Sequence, residues 1–213
     1  MTIENTNVSR RTLVKGAAWS LPVVAVAAAT PLAAASTTNA SLAWTGTNTG
    51  LLQLQLLDGT GVLGAQVAIT VPDEYTITNG AGAITAENAT VTITVGRPSG
   101  IPISVGRARG FGVASVDGIA TTSGERTTTY QTVPVVGTEF GFPITTWSGT
   151  RSVTVASNGT VAVPVVFGLA GQSDLLSITA LASFPVNLTV AFADGSSYTA
   201  SSAISVPVGA GVL

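Results

Sequence analysis

The stretch Val91-Thr92-Ile93-Thr94-Val95 alternates strictly between aliphatic and hydroxyl side chains, and Leu52-Gln53-Leu54-Gln55-Leu56 alternates in the same way. Successive side chains of a β-strand point to opposite faces, so this period of two places the aliphatic groups of each stretch on one face. The branched residues also pack well on a pleated surface. From residue 41 onward no window has the three- and four-residue apolar spacing of a helix. The sequence therefore predicts an all-β protein.

Dipeptides that accept positive φ separate the alternating runs. They are Asp58-Gly59, Asn79-Gly80, Asp117-Gly118, Asn158-Gly159 and Asp194-Gly195, and such pairs favour tight turns. Two of them are expected to close β-hairpins, one joining residues 152–155 to 161–163 and the other joining residues 188–192 to Tyr198. The runs between turns number roughly fourteen, whereas one immunoglobulin-like sandwich has about seven to nine strands.

This strand count favours two immunoglobulin-like β-sandwiches in tandem, residues 36–126 and 127–213. The boundary is placed in the polar, weakly patterned residues 121–129, which contain Gly124-Glu125-Arg126 followed by threonines. The length suits either one large domain or two small ones. A single larger sandwich, with this stretch as a loop, is therefore the alternative. No internal repeat is visible that would indicate duplication.

The N-terminal segment has the three parts of a signal peptide. Residues 9–15 read Ser-Arg-Arg-Thr-Leu-Val-Lys, and a moderately apolar stretch and the small residues Ala33-Ala34-Ala35 follow. The Arg10-Arg11 pair, followed by an apolar pair and a lysine, closely resembles the bacterial twin-arginine export pattern. The resemblance implies a signal peptide over residues 1–35, cleavage between Ala35 and Ser36, and a secreted or cell-surface location.

The charge and residue inventory excludes several classes of function. Of the 8 basic and 10 acidic residues, five arginines and nine carboxylates lie after residue 35, which gives this part a net charge of −4. Five scattered arginines make nucleic acid an unexpected partner. The chain has no Cys and no His, so zinc sites of thiolate or imidazole are excluded. Proline also interrupts the longest later apolar run, residues 161–171, so we expect no transmembrane segment after signal removal.

Residues 51–95 carry three motifs with a recognisable order. They are Leu54-Gln55-Leu56-Leu57-Asp58-Gly59-Thr60-Gly61, Gly64-Ala65-Gln66-Val67-Ala68-Ile69-Thr70-Val71, and Ala81-Gly82-Ala83-Ile84-Thr85-Ala86. This region resembles bacterial immunoglobulin-like domains of the invasin and intimin type. The resemblance implies a stalk or adhesive module on a cell surface, without catalytic residues.

Without histidine, the remaining route to catalysis is carboxylate chemistry, in which two acids flank a glycosidic bond. Most carboxylates of the chain lie beside Gly, Asn or Pro, where their usual role is to stabilise a turn. Asp73-Glu74 could contribute to a calcium site, but no D-x-D-x-D-G spacing accompanies it. We therefore expect no catalytic residue, metal or cofactor.

One cluster has the composition of a ligand-binding surface: Glu139, Phe140, Phe142 and Trp147. Exposed aromatic rings can stack on sugars, and a neighbouring carboxylate can accept hydrogen bonds from sugar hydroxyls. The alternative is that Phe142 and Trp147 are core residues. A second cluster, Arg107-Ala108-Arg109, could contact an anionic wall polymer, or it could be the charged guard of a strand edge.

These observations favour a secreted, non-enzymatic surface protein with a structural or adhesive role. A carbohydrate-binding module and a carboxylate-based glycoside hydrolase are the alternatives. The expected partners are cell-envelope material, polysaccharide included, or further copies of the chain. Self-association is expected because neutral, threonine-rich strands lack the lysines that discourage edge pairing.

The export prediction can be tested by replacing Arg10 and Arg11 together with lysine. Because twin-arginine export recognises this pair, the double variant should accumulate inside the cell as precursor. Immunoblots of cell and medium fractions measure the distribution. Normal amounts of product beginning near Ser36 outside the cell would contradict the assignment.

Overall fold

A computed structural model describes residues 39–58, 62–172 and 176–206. The strands are β1 (Ser41–Gln55), β2 (Val62–Thr78), β3 (Ile84–Val95), β4 (Ser99–Val105), β5 (Gly110–Val116), β6 (Ile119–Ala120), β7 (Arg126–Thr132), β8 (Glu139–Val155), β9 (Thr160–Ala170), β10 (Leu176–Phe192) and β11 (Ser197–Val206). Helical residues in the described part are confined to short 3-10 turns such as Ser123–Glu125. The predicted all-β class is confirmed. No described helix is long and apolar enough to cross a membrane.

The strands form an antiparallel sheet that folds over into two layers. Their order is β6-β5-β9-β2-β11-β10-β3-β8-β7, with β1 on β2 and β4 on β10. In the middle of this order, β2 and β11 share only the pair Thr70–Ser205. We call the strands on either side of this junction layer one (β1, β2, β9, β5, β6) and layer two (β11, β10, β3, β4, β8, β7).

The two layers enclose one apolar core in which Phe184 occupies a central position. Its side chain is fully buried and meets Phe111 of layer one edge to face, with ring centroids 4.8 Å apart. Phe142 of β8 contacts the same ring at 5.7 Å. The alternation that predicted β3 is also observed, because Val91, Ile93 and Val95 are all buried.

The predicted division at residues 126/127 is wrong, because ladders and core cross it. β3 pairs with β8 and β10, and β5 pairs with β9. Residues from both predicted halves share one hydrophobic cluster. The described residues therefore form the single larger sandwich. The described residues form eleven strands, fewer than the roughly fourteen runs counted, and β2 and β8 alone continue for 17 residues each.

One predicted hairpin is confirmed and the other is wrong. β10 and β11 pair directly, with Ala191 opposite Ser197. β8 does not pair with β9, because β9 pairs with β2 from Thr160 opposite Thr78 onward. The predicted turn at Asn158-Gly159 does form, with Asn158 at φ 53°. This turn carries the chain from β8 in layer two to β9 in layer one. Its backbone hydrogen-bonds to the turn after β2, where the Asn158 N–H donates to Gly80 O at 2.7 Å.

Replacement of Phe184 with alanine should lower the free energy of unfolding by about 3–5 kcal/mol, because it leaves a cavity between the layers. Phe140, which is 38% exposed, provides the matched control, and its replacement with alanine should cost about 1 kcal/mol or less. Urea denaturation measures both values. Equal losses for the two variants would contradict the central role of Phe184.

Candidate functional site

The predicted aromatic platform is only partly at the surface. Phe142 and Trp147 are 3% and 1% exposed, so neither ring can stack on a ligand, and they belong to the core. Glu139 and Phe140 lie at the surface, at the start of β8. In a regular strand Phe140 and Phe142 would lie on the same face, yet one is exposed and the other is buried. The β7–β8 pairing has a register shift between Thr129 and Gln131, opposite this part of β8.

Glu139 lies instead in an open pocket of about 240 Å³, which we call the seam pocket. It is lined by Asp58, Arg107, Thr128, Tyr130, Glu139, Gly171 and Gln172. Two parallel β-bridges bring these segments together, Leu56 to Leu169 within layer one and Arg107 to Gly141 of β8. The seam pocket therefore unites the two surface clusters that the sequence indicated separately, those containing Arg107 and Glu139.

A buried arginine, Arg126, contacts Asp58, one of the residues that line the seam pocket. The Arg126 side chain is 7% exposed and donates to the carbonyls of Thr121 and Leu57, each at 3.0 Å. Its guanidinium also lies 3.7 Å from Asp58 Oδ1. The other Asp58 oxygen accepts the Gly171 N–H at 2.6 Å. Asp58 thus holds the loops that follow β1 and β9 together.

The wall of the seam pocket combines an aromatic ring with a partly exposed ion pair. The Tyr130 hydroxyl accepts the Gln172 N–H at 2.7 Å and lies 2.9 Å from the Gln172 carbonyl oxygen. Arg107 lies over the Tyr130 ring at 6.0 Å and contacts Glu139 at 3.5 Å. The Arg107 and Glu139 side chains are 30% and 47% exposed, so their pairing contributes little to stability and a ligand could exchange for it.

Sequence reasoning missed Asp58, Tyr130 and Gln172 as pocket residues. Asp58 was recognised only as part of a turn, and Tyr130 lies just beyond the segment taken as a boundary between domains. The spacing of two between Arg126, Thr128 and Tyr130 was a signal that these three side chains share one face of a strand. In the structure they are half-buried, whereas the threonines between them are exposed. Among the described residues, the Asp73-Glu74 pair belongs to no group of three or more acidic side chains that could hold a metal ion.

The outer surface of layer two is a second candidate site, which we call the hydroxyl face. Register places its side chains in three rows across the strands: Thr127, Thr146, Thr94, Asn187 and Ser201 in the first, Ser148, Thr92, Thr189 and Thr199 in the second, and Thr150, Thr90, Ala191 and Ser197 in the third. All are exposed or half-buried. None of them is charged.

Hydrogen bonds within the rows connect neighbouring strands of the hydroxyl face. Thr94 and Thr146 hydroxyls are 3.1 Å apart, as are those of Thr92 and Ser148. Ser201 donates to the Asn187 side chain at 2.8 Å. These bonds hold the side chains in a fixed pattern with repeats of about 4.8 Å across strands and about 6.8 Å along them.

A smaller pocket of about 90 Å³ contains the titratable groups Tyr75, Asp117 and Arg151. Burial raises the pKa of Tyr75 from 10.0 to about 12, and the negative charge of Asp117 adds to this effect. The positive charge of Arg151 opposes it. The Tyr75 phenol is therefore neutral at physiological pH.

A scan against protein-family models finds no match for this chain. Searches against curated proteins and against solved structures give no match either.

The Tyr75 shift predicts a specific loss of stability in alkali. Between pH 10 and about 12 the unfolded chain loses the phenol proton while the folded chain retains it. The contribution of Tyr75 to the free energy of unfolding is fully present below pH 10. It should therefore fall by about 2–3 kcal/mol as the pH rises across this interval. Denaturation midpoints measured from pH 9 to 12 should fall less steeply in Tyr75→Phe. Identical slopes in the two proteins would contradict the shift.

Proposed function

We propose that this chain is a secreted bacterial surface protein with a structural or adhesive role and no enzymatic activity, which attaches to cell-envelope polysaccharide through the hydroxyl face. The observation that carries the proposal is the presentation of hydroxyl and amide groups across five strands without a charged side chain. A neutral, hydroxylated polymer can exchange its bonds to water for bonds to this face. A strongly charged polymer would find no counter-charges there.

The regular spacing of the rows favours an extended partner over a small one. Each new hydrogen bond contributes only about 0.5–1.5 kcal/mol, because water is displaced from both surfaces. Useful adhesion therefore requires many such bonds at once. A polymer whose hydroxyls recur along its length supplies them, and several protein copies on one polymer strengthen the attachment further.

The location and the adhesive role are also supported by the sequence. The Arg10-Arg11 pattern, which lies outside the described residues, supports twin-arginine export. The resemblance of residues 51–95 to invasin- and intimin-type immunoglobulin-like domains supports a role as a stalk or adhesive module. The non-enzymatic part rests on the lack of His and Cys and on Asp58, whose oxygens are engaged by Gly171 and Arg126.

Charges placed on the hydroxyl face should weaken attachment. The variant Thr92→Glu with Thr199→Glu introduces two carboxylates that binding would have to desolvate. We expect several-fold less protein to sediment with cell-wall preparations or with microcrystalline cellulose. Thr160→Glu, at an exposed position of layer one, is the matched control and should bind like the parent. Equal binding by all three proteins, or none by the parent, would refute the proposal.

The second candidate function is binding of single sugars in the seam pocket. The favouring observation is that Tyr130, Glu139 and Gln172 line one open cavity, because an aromatic ring with polar groups around it suits a sugar. This pocket also contains the two carboxylates on which the hydrolase alternative would depend, Asp58 and Glu139.

Glu139→Gln should lower the affinity for soluble wall oligosaccharides about tenfold, because a charged acceptor is lost. Glu87→Gln, an exposed carboxylate outside the seam pocket, should leave the affinity unchanged. Calorimetry measures binding, and an assay of new reducing ends in the same samples tests hydrolysis. Equal binding by the parent and Glu139→Gln would exclude the seam pocket as the sugar site. New reducing ends that the parent forms and Glu139→Gln does not form would support the hydrolase alternative.

A further inference from the structure

The turn between β7 and β8 exposes a group of valines, which we call the valine tip. Val133, Val135 and Val136 are 39%, 105% and 73% exposed. The turn is held by the Val133 N–H bond to Thr138 O at 2.9 Å and the Gly137 N–H bond to Val133 O at 3.0 Å. Exposed neighbouring aliphatic groups of this kind mark interaction surfaces.

The backbone at the valine tip is strained as well as exposed. Val135 has φ 81°, a strained conformation that a β-branched residue rarely adopts. Asparagine or glycine would fit the turn better. The turn therefore presents an aliphatic side chain where its own stability would favour a polar one.

An apolar groove lies in layer one, on strands other than those that carry the valine tip. The cavity measures about 280 Å³, and its apolar lining includes Leu52, Leu54, Val71, Val165, Val166 and Phe167. It forms because β9 stays beside β2 only as far as Pro164, opposite Glu74. After Pro164, β9 pairs with β5 instead. Val166 is 55% exposed at this groove.

We propose that the valine tip of one copy docks in the apolar groove of a second copy, so that the protein assembles head to tail. The inference rests on the proposed structural role and names the contact that would build the structure. Docking would remove the exposed valines of both surfaces from water. Every copy carries both surfaces.

Charge favours a second copy over a lipid surface as the occupant. No charged residue lies between Arg126 and Glu139 in sequence, and the groove lining includes one carboxylate, Asp73, and no cation. Segments that insert into membranes usually carry lysine or arginine for anionic headgroups. The valine tip is followed instead by Glu139. An apolar tip and an apolar groove on chains of low charge face little repulsion.

The arrangement of the two surfaces determines the kind of assembly. They are different patches of one chain, so the contact is heterologous, and repetition gives open chains unless the rotation closes a ring. A single turn buries much less than the roughly 800 Å² per partner of a stable interface. Each contact should therefore be weak, and assembly should depend strongly on concentration.

Mixing two variants gives a decisive test by sedimentation velocity on the purified full-length chain. The tip variant Val135→Asn with Val136→Ser keeps the groove, and asparagine tolerates the positive φ. The groove variant Val166→Lys keeps the tip. We expect the parent to form a series of oligomers that grows with concentration. Each variant alone should associate more weakly by about tenfold or by a larger factor. An equimolar mixture should form heterodimers that grow no further.

Ile119→Lys is the matched control, because Ile119 is also 55% exposed but belongs to neither surface. It should assemble like the parent. Unfolding curves confirm that each variant folds, and Val135→Asn should be at least as stable as the parent. A monomeric parent, oligomers that survive both variants, or a mixture without heterodimers would overturn the inference. So would tip-dependent binding of the monomer to phosphatidylcholine vesicles. Wall binding by a monomeric parent would retain the proposed function and reject the assembly.

Discussion

The packing of Phe184 between the layers is the contact on which the rest of the structure depends. The chain has no cysteine, and β2 and β11 join the layers through one residue pair. Cohesion must therefore come from the shared core, in which Phe184 meets Phe111 across the layers. The buried Thr145 hydroxyl adds a polar link, because it donates to the Phe111 carbonyl oxygen. An apolar core of this kind provides the cohesion that disulfides give to many small domains.

The apolar groove and the seam pocket both lie where regular strand pairing ends. The apolar groove opens after Pro164, which has no N–H with which to continue the ladder. The seam pocket forms where loops from both layers meet, and there Arg126 and Asp58 satisfy backbone groups that no strand partner reaches. A buried guanidinium is tolerated because carbonyls and a carboxylate surround it. Tyr130 is held there by its hydrogen bonds with Gln172, and Glu139 by its contact with Arg107.

The scarcity of charge gives the surfaces their common character. A face of threonine, serine and asparagine repels neither a neutral polymer nor another copy of itself. Selectivity must then come from shape and from the regular spacing of hydroxyl groups. The valine tip adds a local apolar surface, and its strained backbone supports the proposal that its composition serves binding. A protein with these features suits attachment and assembly at a surface better than the recognition of a charged ligand.

The sequence alone determined the all-β class, because alternation in stretches such as 91–95 depends only on the geometry of a strand. It also located the turns at Asp117, Asn158 and Gly195, since positive φ is a local property. The sequence also predicted the β10–β11 hairpin, but only the tertiary structure decided the pairing of strands that are distant in sequence. The Asn158 turn has the composition of a hairpin, yet it crosses between layers because the partner of β9 is β2. For the same reason Trp147 is a core residue, whereas Asp58 and Glu139 share a pocket although 81 positions separate them. Contacts between distant segments depend on the packing of the whole chain, which no local pattern contains.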